Sequence, residues 1–182
     1  MKLVHNSSVS STLFHFSEDP SIEKFVPHVP RTNPTVPPAV WAIDEKHSPL
    51  YWFPRACPRV AAWPRDVFAT SKFQSAFCTT ASRIHAIECR WLNAFSKARL
   101  YRYTLPAESF VSWPEATGQW ISHSTLRPTN VVPIEGLLEL HGAAGIELRI
   151  VPNLWPLHDL AVSGPWDFSI VRMSNALPDP RA

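Results

Sequence analysis

Nineteen prolines against only five glycines, in 182 residues, constrain this chain more than any other feature of its sequence. Average usage would place roughly 9 prolines and roughly 13 glycines in such a length. Proline locks φ and removes a main-chain donor, so it interrupts helices and central strands. The glycines stand at 118, 136, 142, 145 and 164, where neither GxGxxG nor GxxxxGK[ST] can be written. Rossmann and P-loop nucleotide enzymes are thereby excluded. Disorder of the whole chain is excluded as well, because 45% of the residues are hydrophobic and eight are Trp, far more apolar surface than disordered segments carry.

The length suits one domain able to bury a core without metal or disulfide staples. A single domain over 1–182 is expected, with 1–10 flexible, a Pro-rich extended connector over 27–38 and a Pro- and Trp-rich wrap over 152–182. Seventeen basic against 15 acidic residues, scattered along the chain, give nucleic-acid binding no electrostatic support. No stretch approaches the ~20 apolar residues of a membrane helix, and the first residues lack a signal h-region. A cytoplasmic protein without membrane contact is expected. Cys57, Cys78 and Cys89 are odd in number and lack CxxC spacing, so reduced thiols and no structural metal are expected. A nucleophilic role for Cys57 has no base to serve it.

Alternation marks strands at Ser11–Ser17, Arg83–Glu88 and Arg99–Leu105, a compact apolar run marks one at Ala39–Ile43, and short strands are read at Gln119–Ser122 and Ile146–Val151. In the first, Leu13 and His15 share one face, Phe14 and Phe16 the other. Arg83–Glu88 and Arg99–Leu105, separated by WLNAFSKA, read as an antiparallel hairpin. Ser48 and Pro49 can start a helix that Pro54 and Pro58 soon break or bend. An amphipathic helix is expected over Pro133–Ala143. The sum is an α+β fold: split antiparallel sheets, few helices and long Pro-rich loops.

The candidate functional residues are polar or aromatic groups set in apolar strands: His15, Trp41 with Tyr51 and Trp52 about ten residues later, and Gln119. Read singly, each is ordinary: a core His, core aromatics, a solvent-facing amide. Arg55 and Arg59, four apart, would share a side of a helix as forked donors for a pyrophosphate or form a plain surface pair. Metal would need distant residues such as His15, His28, His47 and His123, no GxSxG elbow exists, and no carboxylate pair stands out among Asp44, Glu108 and Glu115.

Taken together and in order, LFHFS, VWAIDEKHSPLYWF and QWISHSTLRPTNVV resemble the ADP-ribosyltransferase-like superfamily in its His–aromatic–Glu arrangement. The chain also resembles a small family of bacterial proteins sharing HFSE, VWAID, FPR-CPR and a terminal FS-x-x-R-x-x-NA, a family with no assigned activity. The superfamily resemblance implies an ADP-ribosyltransferase-like fold and an enzyme that cleaves the nicotinamide–ribose bond of NAD and passes ADP-ribose to an unknown acceptor: a protein, a nucleic acid or a small molecule. It implies that His15 and Ser17 hold the ribose side of NAD and that Trp41 with Tyr51 or Trp52 frames the nicotinamide. Gln119 stands where the family has its catalytic Glu. An amide binds a ribose hydroxyl but carries no charge and is no base. Either the acceptor needs little activation, or Glu115 or Glu108 reaches in, or the domain binds a nucleotide or a protein without catalysis. In the catalytic case His15, Trp41 and Gln119 must line one cleft.

Overall fold

A computed structural model describes residues 12–30 and 35–181; the expected flexibility of 1–10 lies outside them. The chain divides into two compact units, Met1–Tyr51 with Leu100–Pro133, and Trp52–Arg99 with Ile134–Ala182, where the sequence is read as a single domain.

The first unit is built on a six-stranded sheet of β1 (Leu13–Ser17), β2 (Val40–Ile43), β5 (Leu100–Leu105), β6 (Val111–Ser112), β7 (Gln119–Ser122) and β8 (Asn130–Ile134), in the order β6-β7-β2-β1-β5-β8. β1 runs antiparallel to β5 along its whole length, His15 opposite Tyr103, and meets β2 antiparallel at Phe14 opposite Ile43. β2 pairs with β7 from Val40–Ser122 to Ile43–Gln119. Because side chains alternate across a pleated sheet, one face carries Leu13, Val40, Ala42, Tyr103 and Leu105, which bury with Phe25, Ala107, Phe110 and Leu126. The face alternation expected of LFHFS is therefore observed. Tyr103, fully buried, spends its hydroxyl on the main chain, donating to the Asp19 carbonyl (2.6 Å) and accepting the Ile22 N–H (3.2 Å). This pins the irregular segment after β1.

The second unit holds a four-stranded sheet, β10-β3-β4-β9, from β3 (Arg59–Pro64), β4 (Ile84–Glu88), β9 (Glu147–Val151) and β10 (Trp166–Val171). Val60, Ala62, Ile84 and Ala86 line one face under α1 (Thr70–Phe77) and α4 (Trp155–Ser163), which contribute Phe73, Phe77 and Ala161, with Leu154 capping α4. In the pleat, Arg59, Ala61, Trp63, Arg83, His85 and Ile87 take the other face. Phe53, Phe95 of α2 (Leu92–Lys97) and His141 of α3 (Leu137–Ala143) gather around His85 there.

Several expectations are corrected. β4 and β5 do not form a hairpin: WLNAFSKA becomes a 3-10 turn and α2, and the two strands enter different sheets. The sheets are not wholly antiparallel, since β4 and β9 run parallel. The helix expected to start at Ser48 and Pro49 is the single 3-10 turn Ser48–Tyr51, and RVAAWP, after Pro58, is the strand β3, whose alternating residues find partners on both faces. Pro133 and Ile134 lie in β8, so the amphipathic helix starts only at Leu137. The expected C-terminal wrap contains α4 and β10.

Candidate functional site

The strand β2 leads into a turn, Asp44–His47, and a 3-10 turn, Ser48–Tyr51. Asp44 organises it: its carboxylate accepts the His47 main-chain N–H (2.8 Å) and the His47 Nδ1–H (2.8 and 3.0 Å). Burial alone would raise the Asp44 pKa, but these bonds from His47, with the charges of His47 and Lys46, hold it below its ordinary value. The buried His47 ring lies against Gly118, where a Cβ would stand 2.3 Å from Nδ1. Gly118 adopts φ +79°, and its carbonyl accepts the Asp44 N–H (3.0 Å). The dyad and the glycine therefore lock the start of β7 against the end of β2.

That lock sets two side chains together. Gln119 Nε2, heading β7, donates to the Tyr51 hydroxyl at 3.1 Å. The Tyr51 ring also stacks on Phe16, with centroids 6.4 Å apart and planes within 10°. Trp41 packs edge-on against Trp113 at 5.4 Å, and its buried indole N–H has no hydrogen-bond partner among the described residues. Through the register, Gln119, Ile43 and Phe14 share a face, as do Ile121, Trp41, Phe16 and Arg102 one step along it. The Arg102 guanidinium lies 4.8 Å from the centre of the Phe14 ring.

His15 is on the other face. Its neighbour Phe14 shares a face with Gln119, so the pleat turns His15 toward Phe25, whose ring centroid is 4.8 Å away. Its Nδ1–H donates to the Trp41 carbonyl at 3.0 Å, bridging β1 and β2 just past their Phe14–Ile43 pairing. The expectation that His15, Trp41 and Gln119 line one cleft is corrected accordingly: the structure brings Trp41, Tyr51 and Gln119 to one face of the sheet, without His15.

The remaining candidates take local roles. Ser17 is buried, and its hydroxyl accepts the Asp19 N–H (3.1 Å) in the turn that ends β1. Glu115 is exposed in the turn between β6 and β7. In the second unit, Trp52 meets His141 edge-on at 5.8 Å. Arg55 is exposed in a turn, whereas Arg59 is buried on β3, donating to the Cys57 carbonyl and lying over Phe53. Arg55 and Arg59 thus do not share a helix side, because no helix forms there. Among the described residues, no group of three or more His, Cys, Asp or Glu is placed to hold a metal ion.

The dyad Asp44–His47 was not singled out as a site from sequence. Its signal is there nonetheless: Asp-x-x-His ahead of Ser-Pro, a spacing at which an aspartate accepts the N–H three residues on.

Residues 14–176 match a family described as Family of unknown function (DUF6886). The chain belongs to this family. No curated protein and no solved structure matches it. The DUF6886 match includes every residue of the Tyr51–Gln119 face as well as His15, and it runs through both units.

Proposed function

We propose that the first unit of this DUF6886 chain binds a nucleotide through a planar amide-bearing ring, with NAD as the ligand and its nicotinamide at the Phe16–Tyr51–Gln119 face, and binds it without cleaving it. The observation that carries this reading is the Gln119–Tyr51 hydrogen bond beside the Phe16–Tyr51 stack. An amide and a phenol hydroxyl can match the donor and acceptor of a carboxamide, and flat rings offer the surface for a heteroaromatic. Kinship with the ADP-ribosyltransferase-like scaffold is supported by the order of parts: His15 central in β1, Trp41 in β2, Tyr51 in the turn after it, and Gln119 opening the strand beside β2. Two observations favour binding over transfer. Gln119 offers no charge to stabilise an oxocarbenium-like state and no base, and His15 commits Nδ1 to a main-chain carbonyl on the opposite face.

Titration calorimetry with NAD, nicotinamide and ADP-ribose, run beside chromatographic detection of nicotinamide release, tests this. Binding of NAD and of nicotinamide is expected, with no release. Tyr51→Phe is expected to weaken NAD about 2- to 10-fold, the value of one hydrogen bond of roughly 0.5–1.5 kcal/mol. Absence of NAD binding overturns the proposal. Nicotinamide release overturns it in the other direction and establishes the transferase that the sequence resemblance implies.

A further inference from the structure

The second unit buries two histidines in contact, and the binding proposal uses neither. His85, the second residue of β4, is wholly excluded from solvent, and His141 on α3 is nearly so. Their protons are dictated by one main-chain carbonyl. The Leu137 oxygen can only accept, so His141 Nδ1 carries the proton of that 2.7 Å bond. In the neutral ring His141 Nε2 is then bare, and it accepts from His85 Nδ1–H at 2.9 Å. That in turn leaves His85 Nε2 bare, buried and without a hydrogen-bond partner. Phe53 stands 5.4 Å from the His85 ring and 5.1 Å from the His141 ring, and Phe95 lies 5.6 Å from His141.

We propose that the His85–His141 pair is an acid-released latch: with both rings neutral it ties α3 to β4, and acidification favours a state in which α3 has come away from the sheet and both rings are protonated. In the closed state a further proton has one vacant nitrogen to go to, His85 Nε2, and a cation there is opposed from each side. Burial disfavours it, and Arg83 just ahead of β4 and Arg59 on β3 repel it. From α3 the facing titratable group is His141 itself, while Glu139 on that helix is exposed. On β9 the residue opposite is Leu148, and the flanking Glu147 and Arg149 are paired with each other. α2 presents Phe95, and its Lys97 is exposed. Glu88, the acid at the end of β4, is engaged by Arg90 and by the Leu177 N–H. Burial lowers His141 as well, against the opposing effect of its bond to Leu137.

The sign follows from proton counting. Both folded values lie below the ordinary histidine value of about 6.5. The open state therefore binds more protons as pH falls through that value. Each proton taken up on opening shifts the open-to-closed ratio about tenfold per pH unit, so two shift it up to about 100-fold.

Hydrogen exchange of the full chain, corrected for intrinsic rates, reads this at the Leu140 and Ala144 amides, which bond within α3 to Gly136 and Leu140. Between pH 6.5 and 5 their protection is expected to fall about 10- to 100-fold per unit, and more steeply than that of β1 and β5 amides. The paired variant His85→Phe with His141→Leu is expected to abolish that excess slope. Nitrogen-detected NMR of the unmodified protein at pH 6 is expected to show both rings neutral and protonated at Nδ1. An imidazolium or an Nε2–H tautomer at either ring, equal slopes in the two units, or an excess slope surviving in the paired variant would overturn the latch.

Discussion

Gly118 shows how much one residue can carry. Its φ of +79° is a conformation that costs an L side chain roughly 1–2 kcal/mol, and a Cβ would also strike the His47 ring, which Asp44 holds in place. Gly118→Ala is expected to destabilise by about 2 kcal/mol or more in denaturant unfolding, because strain and overlap add. It should also impair NAD binding, since Gln119 follows directly. A loss below about 0.5 kcal/mol, the scale of an ordinary surface change, would contradict this. At this scale the sequence was informative about chemistry and silent about company. His15, Trp41, Tyr51 and Gln119 could be picked out as polar or aromatic residues in apolar settings. Their partners could not, because the Gln119–Tyr51 bond spans 68 residues and His15–Trp41 spans 26.

Among the elements, short strands were legible almost to the residue: Gln119–Ser122 is β7 as read, and Glu147–Val151 and Val40–Ile43 fall one residue short of their expected starts. α1 was not legible. Thr70–Phe77 offers only Phe73 and Phe77, four apart, as an apolar stripe, and the helix forms because those rings fill the second unit's core beside Trp166, at 6.1 and 5.0 Å. Tertiary packing supplies most helical stability in such short segments. Phe73→Ala is accordingly expected to cost about 3–5 kcal/mol, the range for emptying a fully buried Phe site. Thermal or urea unfolding of the variant measures it, and a cost near 1 kcal/mol would mean the core closes over the gap. β3 escapes sequence reading for the converse reason: Pro54 and Pro58 mark where the turn begun at Ser48 cannot continue, but not that the chain then enters a strand whose two faces are both covered.

For the whole molecule, the sum of short strands and few helices led to an α+β chain, which is the class observed. No helix among the described residues is long and apolar enough to cross a membrane. The three thiols, read alike from sequence, differ once folded: Cys57 is buried, while Cys78 and Cys89 are exposed. Burial pushes the Cys57 thiol up to about 12, with Arg59 opposing the shift and Glu88 adding to it. At pH 8 about one in ten thousand Cys57 side chains is then thiolate, the reactive form. A disulfide reagent is expected to titrate two thiols in the native protein and the third only as the chain unfolds. Reaction of all three under native conditions would show that the core around Cys57 opens freely.

Composition and periodicity settled the class of fold, the strand faces and the exclusion of glycine-rich phosphate loops, because those depend on the conformational limits of Pro and Gly and on the two-residue repeat of a strand. Which strands pair, and therefore which side chains meet, was decided only in three dimensions. The single Phe14–Ile43 pairing places His15 and Gln119 on opposite faces. The contact of β4 with α3 makes a dyad of two histidines 56 residues apart. The first rests on strand register and the second on helix-to-sheet packing, and both join residues too far apart in the chain for a local signal.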